Sequence, residues 1–218
     1  MRNQKNNPMV EANVRIISEL KMFLERVAYH TEQRLSYVFS EKDFTRNRRL
    51  SFSTLVLLIL NLPRRSLSIE ISSFFSYIRQ ESCSKAAFCM QRAKLKASFF
   101  QEWNRLLTNS FYHHYGEKVR RWKGFILLAF DGSVFSLPNT ESLRAIYGNA
   151  SSNKGEHGVV GRSSVMYDVL NYLVLEGRLH PYFTMERSVA AELLEHVPKN
   201  SLLTFDRGYP CFWLFYLL

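Results

Sequence analysis

Cysteine is scarce in this sequence, and no metal-ligand spacing accompanies it. Its 218 residues include three cysteines, at positions 83, 89 and 211. An odd number of cysteines, with no C-x-x-C pair and no histidine at zinc-ligand spacing, predicts neither a disulfide framework nor a zinc site. Free thiols persist in a reducing compartment, so this composition is typical of a cytoplasmic protein.

Long apolar runs are also missing. The most apolar early stretch, Leu50 to Leu62, has 13 residues and includes two Ser, one Thr and one Asn. A membrane-spanning helix needs about 20 apolar residues, and the first ten residues lack the apolar segment of a signal peptide. We therefore expect a core helix at this stretch and no membrane partner. A hydrophobic content of 46% is ample for a packed core.

Positive charge is abundant, but it is concentrated in the first part of the chain. Residues 1–124 hold 22 Lys/Arg against 10 Asp/Glu, whereas residues 125–218 hold 7 against 9. A basic segment joined to a mildly acidic one is typical of a polyanion-binding module attached to a part that concentrates carboxylates. DNA or RNA is the polyanion we expect. A basic surface that only maintains solubility is the alternative.

Helical patterns fill the basic part. Apolar residues at a spacing of three to four predict an amphipathic helix over Met9 to His30. A short helix is predicted over Ser66 to Arg79, and after a turn a longer one runs from Ser84 to about Leu107.

Two helices joined by a tight turn, with basic residues on the second, are the pattern of a DNA-binding helix-turn-helix. An αα-hairpin with a solvated charged face fits the pattern equally well. The candidate DNA contacts are Lys85, Arg92 and Lys96 on one line of the longer helix, and Arg46, Arg48 and Arg49 before these helices.

The second part of the chain has the pattern of a mixed β-sheet with helices. We place the boundary after residue 123, so that a helical, basic part (1–123) precedes an α/β part (124–218). Residues Ser136 to Lys154 are rich in Pro, Gly, Asn and Ser, and an irregular loop is predicted there. The predicted strands lie within Gly124–Pro138 and at Ser163–Leu170, Tyr172–Leu179 and Leu202–Phe205, with helices at Glu186–Val197 and after Pro210.

Asp131 and Asp206 each end a short apolar run and are followed by turn residues. Each is therefore expected where a buried strand leaves the core. Ligands of open α/β sheets bind beyond the carboxyl ends of the strands, and carboxylate oxygens suit Mg²⁺. The pair predicts a metal-dependent phosphoryl-transfer site, although each aspartate taken alone could be a turn residue.

This order of elements, with one aspartate on the first strand and another just after the fourth, resembles the ribonuclease-H-like fold of DDE transposases and integrases. The motif DGS at 131–133 with LP at 137–138, and the motif DRGY at 206–209, are similar to bacterial transposases of the "insertion sequence four" type. Residues 44–50 and the helices after them also resemble the DNA-binding region of that group. The resemblance implies a helical DNA-binding domain before an incomplete ribonuclease-H-like catalytic domain.

The resemblance also implies an activity, which is DNA strand cleavage and transfer by two-metal phosphoryl transfer. The complete family binds two Mg²⁺ or Mn²⁺ ions, and here Asp131 and Asp206 would be the catalytic, metal-binding residues. Arg207 and Tyr209 would lie near the DNA or the metal. The implied partner is DNA, namely the transposon ends, with no small-molecule substrate, and the implied location is the bacterial nucleoid.

One carboxylate of the family pattern is absent. The resemblance calls for a Glu on a later helix, yet no Asp or Glu follows Asp206 in this chain. We therefore expect a C-terminally truncated, inactive transposase with weakened metal binding, for which Glu186 is only a weak substitute ligand. The alternatives are a DNA-binding-only remnant that inhibits a full-length relative, and a nuclease that works with two aspartates. An uncovered sheet edge would favour poor solubility or a homodimer.

Overall fold

A computed structural model describes residues 8–46, 48–62, 65–151 and 157–217 of the chain. The chain forms two compact units, Met1–His114 and Tyr115–Leu218, so the division lies before the residue 123 that composition suggested. The first unit holds 18 Lys/Arg against 9 Asp/Glu and therefore carries the positive charge. Its described elements are helices and those of the second unit form a mixed sheet with helices, which confirms the predicted α-then-α/β order.

The helical unit is built around buried aromatic rings. Phe99 is fully buried, and its ring centroid lies 5.4 Å from that of Phe23, 5.2 Å from that of Phe52 and 5.9 Å from that of Trp103.

Within the described ranges, no helix is long and apolar enough to cross a membrane. The helices are α1 Pro8–Tyr29, α2 Thr31–Leu35, α3 Phe52–Leu60, α4 Leu67–Tyr77, α5 Lys85–Arg92 and α6 Ser98–Tyr115.

The single helix predicted from Ser84 to about Leu107 is wrong, since α5 and α6 are separate. The chain leaves the helix after Arg92 because it pairs with the segment that follows α2. Lys96 N donates to Tyr37 O at 2.8 Å, and Phe39 N donates to Lys94 O at 3.3 Å. No Gly or Pro marks this break, so tertiary pairing overrides the helical propensity of the sequence. Lys96 is consequently not on the helix that carries Lys85 and Arg92.

The second unit is organised around one long central strand. Strand β1 pairs antiparallel with β3 and parallel with β5, while β3 also pairs antiparallel with β4, and β2 pairs with the start of β3. This order confirms the predicted succession of strand, hairpin, helix, strand and helix. The elements are β1 Ile126–Ser136, α7 Glu141–Tyr147, β2 Asn149–Ser151, β3 His157–Asp168, β4 Leu173–Pro181, α8 Glu186–Leu194, β5 Ser201–Phe205 and α9 Phe212–Tyr216.

Two local predictions in this unit need correction. The irregular loop predicted over Ser136 to Lys154 contains α7 and β2, although residues 152–154 lie outside the described residues. Helix α7 begins at a cap that the sequence does encode, because the Thr140 hydroxyl accepts a hydrogen bond from Leu143 N at 3.3 Å. Strand β1 also does not end at Asp131, since it continues to Ser136 as a ribbon with β3. What ends at Asp131 is the burial of the strand.

A buried carboxylate holds the turn between β3 and β4. Asp168 is 0% exposed and accepts hydrogen bonds from Leu170 N at 3.2 Å, Asn171 N at 3.1 Å and Asn171 Nδ2 at 2.8 Å. Asn171 in turn bonds to both the N–H and the carbonyl of Arg120, at 2.9 and 3.0 Å. Asp168 therefore links the hairpin to the segment that leads into β1.

We predict that Asp168→Ala lowers the unfolding free energy of the second unit by about 2–3 kcal/mol, because buried N–H donors lose a charged acceptor. Amide hydrogen exchange in β3 and β4 measures this loss. Glu195→Ala, at an exposed acid just after α8, is the control and should change exchange by less than about 0.5 kcal/mol. Equal effects of the two variants would contradict the assignment.

A second polar contact joins α1 to α6 within the helical unit. Glu19 accepts a short hydrogen bond from the Ser110 hydroxyl, and its other oxygen lies 2.6 Å from His114 Nε2. The hydrogen bonds from Ser110 and then from His114 lower the pKa of Glu19 below its ordinary value of 4.5, against an opposing contribution from burial. A carboxyl whose pKa is lower in the folded state stabilises the fold above its unfolded pKa.

We therefore predict that the helical unit loses stability as the pH falls below about 4.5, and that Glu19→Gln removes part of this loss. Chemical denaturation followed by circular dichroism over a range of pH gives the slope. Glu25→Gln, on the same helix but paired only with the exposed Lys21, is the matched control. An unchanged slope in Glu19→Gln would refute the role of this contact.

Candidate active site

The register of β1 and β5 brings Asp131 and Asp206 side by side. The parallel pairing runs from Ile126↔Ser201 to Phe130↔Phe205, and the next residue on each strand is an aspartate. Neighbouring strands lie roughly 4.8 Å apart, so the backbone positions of the two aspartates are neighbours at the end of this pairing. Both aspartates are exposed.

The residues that precede the aspartates fix this register. Phe130 stacks on Phe205 with ring centroids 4.6 Å apart, and the Thr204 hydroxyl donates to Leu128 O at 3.0 Å. These contacts cross from one strand to the other immediately before the two carboxylates. A slip of one residue would break both contacts and would separate the aspartates.

Each aspartate is also oriented by its own backbone. Gly132 N donates to Asp131 Oδ1 at 2.8 Å, and Arg207 N donates to Asp206 Oδ1 at 2.5 Å. One oxygen of each carboxylate is therefore held in place by the residue that follows it.

A third acid, Glu186, packs against β1 at Gly132. A Cβ atom at Gly132 would stand 3.4 Å from Glu186 Oε1, so the Glu186 carboxylate packs on the backbone that follows Asp131. Arg162, on β3, donates from Nη1 to the same oxygen at 2.7 Å and covers the Tyr182 ring at 5.0 Å. The weak substitute ligand that the sequence suggested therefore packs on the Gly132 face of β1, opposite to the face of Asp131, and is paired with an arginine.

Tyr209 lies inside the fold beside these acids. It is 3% exposed, and its ring centroid is 5.5 Å from that of Phe205. Burial first, and then the negative charges of Glu186, Asp131 and Asp206, raise the pKa of Tyr209 to about 12. The hydroxyl is therefore within electrostatic reach of all three carboxylates and remains protonated. The buried ring packs in the core rather than facing a ligand.

The turn that carries Asp206 is held by a residue that sequence reasoning missed. Arg187 donates from Nε and Nη2 to Gly208 O at 3.0 and 2.8 Å. The one sequence signal for this role of Arg187 is its position directly after Glu186, at the start of α8. Arg207, which the sequence predicted near DNA, is exposed beside Asp206.

The donor set for a metal at this site is two carboxylates. Asp131 and Asp206 offer the hard oxygen ligands that Mg²⁺ and Mn²⁺ prefer. Across the part of the chain that the structure describes, no group of three or more His, Cys, Asp or Glu is arranged to hold a metal ion. The oxygens of Asp131 and Asp206 are of the chemical type that binds a divalent cation.

The predicted DNA contacts of the helical unit differ in what they touch. Lys85 and Arg92 are exposed on α5, and Arg92 lies 5.6 Å from the centroid of the Phe88 ring. Lys96 instead places its ammonium group 3.5 Å from both Leu35 O and Ser36 O, at the carboxyl end of α2. A cation there stabilises the helix end, so Lys96 has a structural role.

Arg46, Arg48 and Arg49 are exposed between α2 and α3. Arg49 is ion-paired with Glu81 and donates to Ser82 O at 3.2 Å. The segment before α5 thereby fixes Arg49.

Part of the chain is similar to a curated protein. Over 88 residues the chain is 30% identical to "Putative transposase InsZ" of Escherichia coli (strain K12). The aligned segment covers 39% of this chain and 29% of that protein, so the chain spans less than a third of the curated relative it matches. No family model and no solved structure matches the chain. Over this segment, the chain is similar to a protein named as a transposase.

Proposed function

We propose that this chain is a transposase-type protein that binds DNA and cleaves its strands, with Asp131 and Asp206 as the carboxylates of a phosphoryl-transfer site. The observation that carries the proposal is the parallel register ending at Phe130↔Phe205, which makes the two aspartates neighbours. The sheet order, with β1 antiparallel to β3 and parallel to β5, fits the ribonuclease-H-like arrangement that the family resemblance implies. The similarity to the InsZ protein supports the same family.

Each residue of the site has a distinct part in this proposal. Asp131 and Asp206 hold the divalent ion, which when bound activates a water or a 3′-hydroxyl and stabilises charge on the phosphate. Arg207 is exposed beside Asp206 and binds the DNA backbone, since guanidinium groups pair well with phosphate. Arg187 keeps the turn of Asp206 in position. Tyr209 stays neutral and adds no charge beside the carboxylates.

In this proposal, the helical unit binds DNA. Lys85 and Arg92 on α5, together with Arg46, Arg48 and Arg49, contact phosphates, and their charge provides the affinity. Lys96 does not belong to this surface, because its ammonium group is engaged with the end of α2.

A specific observation favours a second candidate, which is DNA binding without cleavage. Glu186, the weak substitute ligand, is paired with Arg162 instead of being available as a third ligand. Two carboxylates bind a metal more weakly than three. A chain of this kind would occupy DNA and inhibit a complete transposase that recognises the same site.

We predict that the chain nicks supercoiled plasmid DNA slowly when Mn²⁺ is present, and that Asp131→Asn or Asp206→Asn reduces nicking to background. Conversion to open-circular DNA on a gel measures the rate. Glu141→Gln, at an exposed acid on α7, is the control and should cut like the wild type. Nicking that persists in both aspartate variants would refute the site, whereas binding with no wild-type nicking would establish the DNA-binding-only candidate.

Salt dependence tests the DNA-binding surface separately. We predict that Arg92→Ala and Arg46→Ala each lower the slope of log affinity against log salt concentration by about 1, because each removes one phosphate contact. Lys96→Ala should leave the slope unchanged and should lower the thermal stability of the helical unit. Fluorescence anisotropy with a labelled duplex measures the slope. A slope change in Lys96→Ala as large as in Arg92→Ala would contradict this division.

A further inference from the structure

A basic cleft runs along α5. It consists of two adjoining depressions of about 330 and 300 Å³, which share Arg48, Gln91 and Lys94. Volumes of this size fall within the range of small-ligand sites, about 300–1,000 Å³. The other side chains that matter to the argument are Leu50, Ala87 and Met90 in the first depression and Lys42 and Arg46 in the second.

The cleft contains a buried polar atom that lacks a partner. Gln91 is 7% exposed and lines both depressions. Its Nε2 donates to Leu50 O at 3.4 Å, and this bond orients the amide. Its Oε1 is buried and has no hydrogen-bond partner among the described residues. Buried acceptors are nearly always paired, so this atom is suited to receive a hydrogen bond from a ligand.

The charge around the cleft selects an anion. Five basic side chains line the two depressions: Lys42, Arg46, Arg48, Arg49 and Lys94. Two acids oppose them, since Asp43 lies 3.7 Å from Lys94 and Glu81 is paired with Arg49. The excess of positive charge favours a phosphate group.

A ligand that complements this cleft therefore has three parts. They are a phosphate, an apolar group that packs against Leu50, Ala87 and Met90, and an N–H that donates to Gln91 Oε1. A nucleotide combines them. In duplex DNA the N–H groups on the Watson–Crick edges are already used, whereas an unpaired base presents them.

We propose that the basic cleft binds a single unpaired nucleotide of DNA, with its phosphate at Arg48 and Lys94 and a base N–H donating to Gln91 Oε1. This inference rests on the proposed function for its partner, DNA, and adds that the helical unit recognises a locally unpaired strand.

The test compares three labelled DNA probes on the full chain by fluorescence anisotropy. The first is a blunt duplex, the second carries one unpaired adenine, and the third carries an abasic sugar-phosphate at the same place. We expect the adenine probe to bind about three- to tenfold more tightly than the other two, which is the contribution of one hydrogen bond. Gln91→Met, nearly equal in volume, should abolish this preference and leave blunt-duplex binding intact.

Two further variants separate the base contact from the phosphate contact. Arg48→Ala, at an exposed position that should not affect folding, is expected to weaken the adenine and abasic probes equally. Arg92→Ala, on the same helix but outside the cleft lining, should weaken all three probes equally and keep the adenine preference.

The outcomes distinguish this inference from the proposed function. Equal binding of the blunt and adenine probes, or of the abasic and adenine probes, would overturn the nucleotide site while leaving DNA binding intact. An adenine preference that survives in Gln91→Met would also overturn it. Failure to bind any of the three probes would overturn both the inference and the DNA-binding part of the proposed function.

Discussion

The proposed site depends on the parallel register between β1 and β5. Stacking of Phe130 on Phe205 and the bond from the Thr204 hydroxyl to Leu128 O hold this register at the last paired residues. Because register sets which residues become neighbours, these contacts of the core decide that Asp131 and Asp206 are adjacent at the end of the β1–β5 pairing. The chemistry proposed for the exposed edge is thus a consequence of packing inside the sheet.

The charge of the site is balanced by residues from other elements. Arg162 on β3 pairs with Glu186 on α8, and Glu186 in turn packs beside Gly132. Without this pairing, three acids would repel one another near the buried Tyr209 hydroxyl. The arrangement neutralises Glu186 where it packs on β1. That is why two aspartates, and not three acids, form the donor set that we propose for a metal.

Much of this fold could be read from the sequence, because its strands and helices follow local periodicity. The order of strands was predictable, as was the turn near Asn171. The end of β5 just before Asp206 was also predictable, whereas β1 continues past Asp131 to Ser136. The break between α5 and α6 was not, because the pairing of residues 94–96 with 37–39 is a tertiary contact without a local signal. For the same reason the pairing of Arg162 with Glu186, the anchor from Arg187 to Gly208 and the burial of Tyr209 became visible only in three dimensions.

The most direct test of the account is a titration of the full chain with Mn²⁺, monitored by electron paramagnetic resonance of the unbound ion. Asp131 and Asp206 are predicted to hold one ion jointly, so either aspartate-to-asparagine change should remove the bound Mn²⁺. Glu186→Gln should leave most of the binding, because Arg162 already neutralises that acid. Undiminished Mn²⁺ binding after both aspartates are replaced would contradict the central claim.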